Sequence, residues 1–277
     1  MLAMLGQRSD AGTLAQFRTR YGDIDVELFD QEKPVTVANF LKYIRSGAFE
    51  NTFLHRCVPG FVVQGGGFFT TNRNDSSDFI NVFPVPTFSP ITNEFFVGPR
   101  LSNTYGTIAM AQAGTDRNSA TSQWFFNIAN NGAGQPNDLD NLNGGFAVFG
   151  RMVRGTNFLN DYNNRFYGFG LVNLGNAYGG AFSFLPVSYV GNFYPYYNEL
   201  LYVDITLLNV QVSRGTNGMR EISWNSVNGR TNFVQFTTNF PPSWQTLVTT
   251  NGNGLTMRVT DDTAAAAGRF YRVRVDY

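Results

Sequence analysis

One cysteine, one histidine and two lysines are all that 277 residues contain of those types. With Cys57 alone, no internal disulfide forms, and zinc sites built mainly from thiolates are excluded. With His55 alone, a catalytic triad or an imidazole metal site would have to use that single ring. Lys33 and Lys42 are the only lysines, so arginine carries nearly all the positive charge. The 20 basic residues balance 20 acidic ones, which argues against a nucleic-acid or anionic-membrane binder that works by bulk charge. No apolar run approaches the ~18 residues of a membrane span. Met1–Gly6 is apolar but shorter than the core of a signal peptide, and no basic residue precedes it. One cysteine does not identify the compartment. Low lysine with high Asn, Gly and Tyr points to a periplasmic or exported protein if a leader has been removed, and to the cytoplasm otherwise.

The chain is instead rich in Gly (29), Phe (27), Tyr (13) and Asn (30). That profile suits a loop-rich β protein rather than a helical bundle. After a loose leader over 1–13, Ala15–Phe29 alternates apolar and polar residues around Tyr21-Gly22-Asp23 and reads as a hairpin. Pro34–Gly47 reads as a helix, with Pro34 in its first turn, Gly47 as its cap, and Val37, Phe40, Leu41 and Ile44 as its packed stripe. Strands are expected at Phe53–Val58, Gly60–Gln64, Gly106–Ala111, Ser122–Ile128, Phe146–Arg151 and Leu201–Val212. Residues 71–100 read as a long loop, and Thr156–Tyr162 as a short second helix. Residues 163–198, dense in Asn, Gly and Tyr, show no period and read as an insertion. Arg214–Gly218 reads as a linker. Beyond it, five strand-like segments in 219–277 form a small all-β sandwich, with Trp224, Trp244, Phe233, Phe270 and Tyr271 as its expected core.

Three stretches carry chemistry: FLHRCVPGFVVQGGGF over 53–68, GTIAMAQAGTDRNSATSQWFF over 106–126, and LNGGFAVFG over 142–150. In this order and spacing they resemble the cyclophilin family of peptidyl-prolyl cis–trans isomerases, in a form similar to its bacterial branch. The resemblance covers residues 13–213. It implies a mostly β fold, an eight-stranded antiparallel barrel flanked by two helices, followed here by the small C-terminal β-sandwich. It implies an enzyme that rotates X-Pro bonds and assists protein folding, in the manner of a chaperone. Its partners would be proline-containing polypeptides and cyclosporin-type cyclic peptides.

The residues are consistent with that chemistry. Rotation about a peptide bond meets a barrier of about 18–20 kcal/mol, and X-Pro isomerisation without a catalyst takes tens to hundreds of seconds. Twisting the amide makes the prolyl nitrogen more basic. A catalyst therefore needs a donor for that nitrogen, an apolar pocket for the ring and polar groups for the flanking backbone; it needs no cofactor, metal or nucleophile. Arg56 is the candidate donor, although an isolated strand arginine is most often a surface residue. Phe61, Val62, Phe125, Leu142 and Phe146 match the family's proline pocket and its rim, and Ala111, Gln112 and Ala113 match the segment that pairs with the peptide backbone. Gln64 and Gln123 either bond substrate carbonyls, orient Arg56, or make structural bonds to a loop.

This chain departs from the family at several of these positions. Val62 stands where Met is usual, Gln112 where Asn is common, Asn141 where Trp often precedes the pocket Leu, and Phe146 where His is frequent. Trp124 replaces a Phe and, by alternation, points away from Gln123 and Phe125. His55 points away from Arg56 and reads as a satisfied structural histidine, and Cys57 as a small buried apolar residue. Gly65–Gly67 lacks the following GK[ST] of a phosphate loop, and Asp138 and Asp140 lack the spacing of a calcium loop. Two other readings stay open: a proline-peptide binding module without turnover, and an adhesion or targeting protein that acts through the C-terminal sandwich, whose partner is unknown.

Overall fold

A computed structural model describes residues 13–76, 81–155, 157, 160, 170–188, 194–208, 210–215, 219–226, 231–239, 242–253, 255–263 and 268–276. The expected leader thus lies outside the described residues, apart from Thr13. So does the expected helix Thr156–Tyr162, of which only Asn157 and Asn160 are described, both helical.

The chain divides into two compact units, the first ending at Ile205 and the second starting at Thr206. In the first, strands β1 (Leu14–Thr19) and β2 (Gly22–Leu28) form the expected hairpin. Helix α1 (Pro34–Arg45) follows, then β3 (Arg56–Val58), β4 (Val62–Gly65), the two-residue pair β5 (Phe68–Phe69) and β6 (Phe83–Pro84), β7 (Thr107–Met110), β8 (Trp124–Asn127) and β9 (Val148–Arg154). A second hairpin, β10 (Gly170–Val172) and β11 (Leu185–Val187), encloses the one-turn helix α2 (Gly175–Tyr178), and β12 (Asp204–Leu208) begins in this unit and runs across its end at Ile205.

Eight of these strands make one sheet in the order β12-β1-β2-β9-β7-β8-β4-β3, antiparallel from β1 through to β3. Its two ends meet through the segments leading into β3 and β12. Phe53 bridges Tyr202, Leu54 N donates to Leu201 O at 2.9 Å, and Val203 N donates to Thr52 O at 3.0 Å. The expected single strand over Leu201–Val212 is therefore corrected: residues 201–203 close the sheet, β12 follows, and Val210 starts a different strand.

Alternation decides what faces inward. Phe17 is fully buried, edge-on to Trp124 at 4.9 Å and stacked on Phe40 of α1 at 5.8 Å. Trp124 is why glycine recurs at 65 and 66, since a Cβ on either would lie 2.7 Å from its indole ring. On α1 the buried face includes Val37, Phe40 and Leu41 as expected, but Tyr43 rather than Ile44. The helix has no acidic residue in its first turn. Its free N–H groups are met from a distance by the buried Glu94 carboxylate, which accepts from Val35 N, Thr36 N and Thr36 Oγ1. Beside it, the fully buried Lys33 donates to the carbonyls of Glu94, Val97 and Pro99 at 2.7, 2.7 and 2.9 Å.

The segment expected to be an insertion is not structureless where it is described. Phe182, Leu185, Val187, Tyr197 and Leu200 bury around Phe53 and Tyr202, and Phe184 O accepts from Cys57 N at 2.8 Å. In the second unit, β13 (Val210–Arg214), β14 (Arg220–Asn225) and β17 (Thr256–Asp261) form one sheet, and β16 (Gln245–Asn251), β15 (Thr231–Thr237) and β18 (Phe270–Asp276) another. Its core is Ile222, Trp224 and Val234, with Tyr271 and Val273 packed against them. The expected core is corrected at Phe233, Trp244 and Phe270, none of which is in this cluster, Phe270 being 51% exposed; alternation turns Val234 on β15 and Tyr271 and Val273 on β18 inward instead. Tyr271 donates to the buried Asp261 at 2.7 Å, and Trp224 Nε1 donates to Asn232 at 3.0 Å, so polar bonds join the two sheets.

Candidate active site

Directly opposed residues of neighbouring antiparallel strands share a face. The registers Arg56↔Gln64, Gln64↔Phe125, Phe125↔Ala109 and Ala109↔Val148 therefore place five residues in one row across five strands. Arg56 stands at one end, and the apolar end of the row is buried. Val62, two residues from Gln64, joins Phe125, Ala109 and Val148 in one cluster, with Phe61, Ala111 and Phe146 packed against it. Phe146 meets Phe125 edge-on at 5.8 Å. Phe61 is held from behind, where its carbonyl accepts Ile128 N at 3.0 Å and Asn131 Nδ2 at 2.9 Å.

Arg56 is half-buried, and among the described residues its guanidinium has no hydrogen-bond or ion-pair partner. Its nearest ring is Phe61, 5.9 Å from the guanidinium carbon. Burial lowers its pKa from the ordinary arginine value, with Cys57 pulling the other way.

The two glutamines bond each other: Gln64 Nε2 donates to Gln123 Oε1 at 2.7 Å. That fixes the Gln64 side chain beside Arg56 in the row and leaves Gln64 Oε1 for another donor. In the facing segment, Ala111 N is taken by Gln123 O and Ala113 N by Ser119 Oγ. Among the described residues, neither the N–H nor the C=O of Gln112 is bonded, so its backbone keeps one donor and one acceptor available. Its side chain turns the other way and donates to Gly145 O at 2.9 Å.

Leu142 is the one expected pocket residue that the structure leaves outside the apolar cluster. It is 51% exposed on a 3-10 turn, Leu142–Gly144, beside the pocket's rim. The sequence reading missed Leu139 and Leu101, which pack in the cluster from polar loops. Each is a lone apolar residue among polar ones, and no periodicity marks it. Asn141 turns back to the Asp138 carboxylate. Asp140 accepts from Ser102 Oγ, Asn103 N, Asn103 Nδ2 and Ala133 N. Burial pushes its pKa up, but these bonds outweigh it and hold the group below the usual value. Both acids thus serve the loop.

His55 is fully buried, with its ring edge-on to Phe68 at 5.0 Å and next to the Gln123 amide. Burial, and then the Arg56 charge, lower its pKa to about 3, with the neighbouring Gln123 amide opposing. It is a structural histidine, buried beside the Gln123 amide. Between pH 6.5 and about 3 the unfolded chain binds a proton that the native ring refuses. Stability contributed by the neutral ring is therefore complete above 6.5 and falls as pH drops, at ~1.4 kcal/mol per pH unit for one proton. Urea unfolding at pH 6.5 and 4.5 should give a slope in the wild type that exceeds the slope of His55→Gln by about one proton. Equal slopes would contradict the assignment.

Residues 14–168 match the family of cyclophilin type peptidyl-prolyl cis-trans isomerases. The chain belongs to the cyclophilin family. Relatives agree with this membership. A peptidyl-prolyl cis-trans isomerase of Acinetobacter baylyi is 37% identical over 145 residues, 52% of this chain and 69% of that protein. Peptidyl-prolyl cis-trans isomerase B of Escherichia coli is 38% identical over 148 residues, 51% of this chain and 79% of its own length. Among solved structures, a cyclophilin type isomerase of Cryptosporidium parvum, crystallised in the presence of the dipeptide Ala-Pro, matches with a TM-score of 0.45 and 23% identity. That match covers 71% of this chain and 99% of the other. The cyclophilin match ends before the β10–β11 insertion and the second unit.

Proposed function

We propose that this cyclophilin accelerates cis–trans rotation of X-Pro bonds in peptides and folding chains, with Arg56 as the donor to the prolyl nitrogen. The observation that carries the reading is the row from Arg56 through Gln64 to Phe125: an unpartnered, half-buried cation beside an apolar cluster. The proline ring sits against Phe61, Val62, Phe125 and Phe146, with Leu142 at its edge. The N–H and C=O of Gln112, between Ala111 and Ala113, pair with the substrate backbone. Gln64, fixed by Gln123, offers its free oxygen to Arg56 or its amide face to a substrate carbonyl.

Arg56 contributes to rate only as far as it binds the twisted amide better than the planar one. A guanidinium meets that demand, because the nitrogen becomes a real acceptor only when resonance is lost. An acceleration on the order of a millionfold requires about 8 kcal/mol, and one charge-assisted hydrogen bond contributes about 1.5–3. Orientation and removal of water from the amide supply the remainder. Nothing in these steps calls for a cofactor.

On this reading the first unit, ending at Ile205, is the isomerase domain, and the second is a separate β module with its own partner; the expected boundary at 213 and linker at 214–218 move upstream because β13 (Val210–Arg214) pairs with β14 of the second unit. The test is the rate of cis-to-trans conversion of a short X-Pro peptide, with and without a cyclosporin-type cyclic peptide. Catalysis abolished by the cyclic peptide supports the assigned groove. Absence of any acceleration at high protein concentration would leave a peptide-binding module only.

A further inference from the structure

Next to the pocket's rim lies a second, differently built surface. Phe95 is buried so closely beneath Gly145 that a Cβ there would lie 2.3 Å from its ring. Its neighbour Phe96 turns outward and is 46% exposed. The guanidinium carbons of Arg100 and Arg117 lie 4.6 and 5.4 Å from the centre of the Phe96 ring. Among the described residues neither guanidinium has an acidic partner or a hydrogen bond.

This surface is continuous with the groove. A Cβ on Gly144 would lie 3.3 Å from Arg117 Cδ, and Asn143 Nδ2 donates to Gly114 O at 3.1 Å. Gly145 O accepts from both Asn93 and Gln112. The loops bearing Phe96, Arg100 and Arg117 are thus tied to the 142–146 turn, which carries Leu142 and Phe146, and to Gln112.

Two unpaired cations gathered on one exposed ring, in a protein whose charges balance, are poised for a carboxylate. The aromatic face adds a place for the stem of the residue that bears it. We propose that Phe96, Arg100 and Arg117 form a flanking subsite of the isomerase, which takes an Asp- or Glu-bearing segment next to the X-Pro bond. The inference rests on the isomerase reading of the groove. It assigns a substrate preference to three residues outside the proline pocket.

The experiment compares kcat/KM for three sets of X-Pro peptides, with Glu, Gln or Lys two or three residues to either side of the proline. The wild type should favour Glu over Gln peptides roughly threefold at low salt and Gln over Lys similarly, since exposed pairs are individually weak. The preference should collapse in 0.5–1 M salt. In Arg100→Gln/Arg117→Gln the Glu/Gln ratio should fall to about one, and in Arg117→Glu the order should reverse toward Lys peptides. Turnover of the Gln peptides reports whether each variant is folded and active. Equal wild-type rates for all three sets would overturn the subsite while leaving the isomerase standing. So would a Glu preference that survives both substitutions. No turnover of any peptide would overturn both.

Discussion

Arg56→Ala is expected to lower kcat/KM for a short X-Pro peptide by roughly 10- to 150-fold, the equivalent of one lost charge-assisted hydrogen bond of about 1.5–3 kcal/mol. The loss should fall mainly on kcat, because the bond is strongest to the twisted amide. Arg56 makes no internal bond among the described residues, so its removal leaves no buried group unpaired, and the fold should survive. Arg56→Lys keeps a charge but loses the planar fork, and should fall between wild type and alanine. A kcat/KM for Arg56→Ala within twofold of wild type, on a protein with unchanged thermal unfolding, would remove Arg56 from the mechanism.

The largest stability effect is expected at Lys33. Its ammonium satisfies three carbonyls across the 94–99 loop while Glu94 of that loop caps α1. Burial lowers its pKa, and Glu94 and Glu32 oppose that. Lys33→Ala strands those carbonyls away from water and should cost about 3–5 kcal/mol, on the order of 10 °C in thermal midpoint at 2–4 °C per kcal/mol. The same loop carries Phe95 beneath Gly145, so hydrogen exchange should rise at 94–99 and at 142–146 together. A midpoint within about 2 °C of wild type would show that the clamp adds little.

Much of the groove was legible because its residues are close in sequence and fixed by register. Arg56, Val62 and Gln64 sit on two adjacent strands, and Gln123 and Phe125 share a third segment, so alternation sorted these by face, whereas Phe61, in the turn between β3 and β4, was placed by the family resemblance. The β1–β2 hairpin and α1 were equally plain from their periods. What was not legible depends on long-range contact. The Gln64–Gln123 bond spans 59 residues and the Lys33–Glu94 bond 61, and no local pattern announces either. Leu101 and Leu139 bury from polar loops. The insertion lacked a period because it reaches the core through short turns, with Phe182 and Leu185 docking individually on Phe53. The run Leu201–Val212 looked continuous because β12 and β13 are separated by a single residue, although they join different sheets. His55 was placed on the correct face, but its packing against Phe68 and Phe182 comes from residues far along the chain.

The most direct measurement of the central claim is NMR exchange spectroscopy on a short X-Pro peptide with a catalytic amount of protein, combined with the amide shifts the peptide induces. The account predicts cis–trans exchange cross-peaks on the sub-second timescale. It also predicts shift changes centred on Arg56, Gln64, Gln112, Phe125 and Phe146, with the exchange strongly reduced in Arg56→Ala. Exchange that persists undiminished in that variant, or shifts that cluster away from this row, would contradict it.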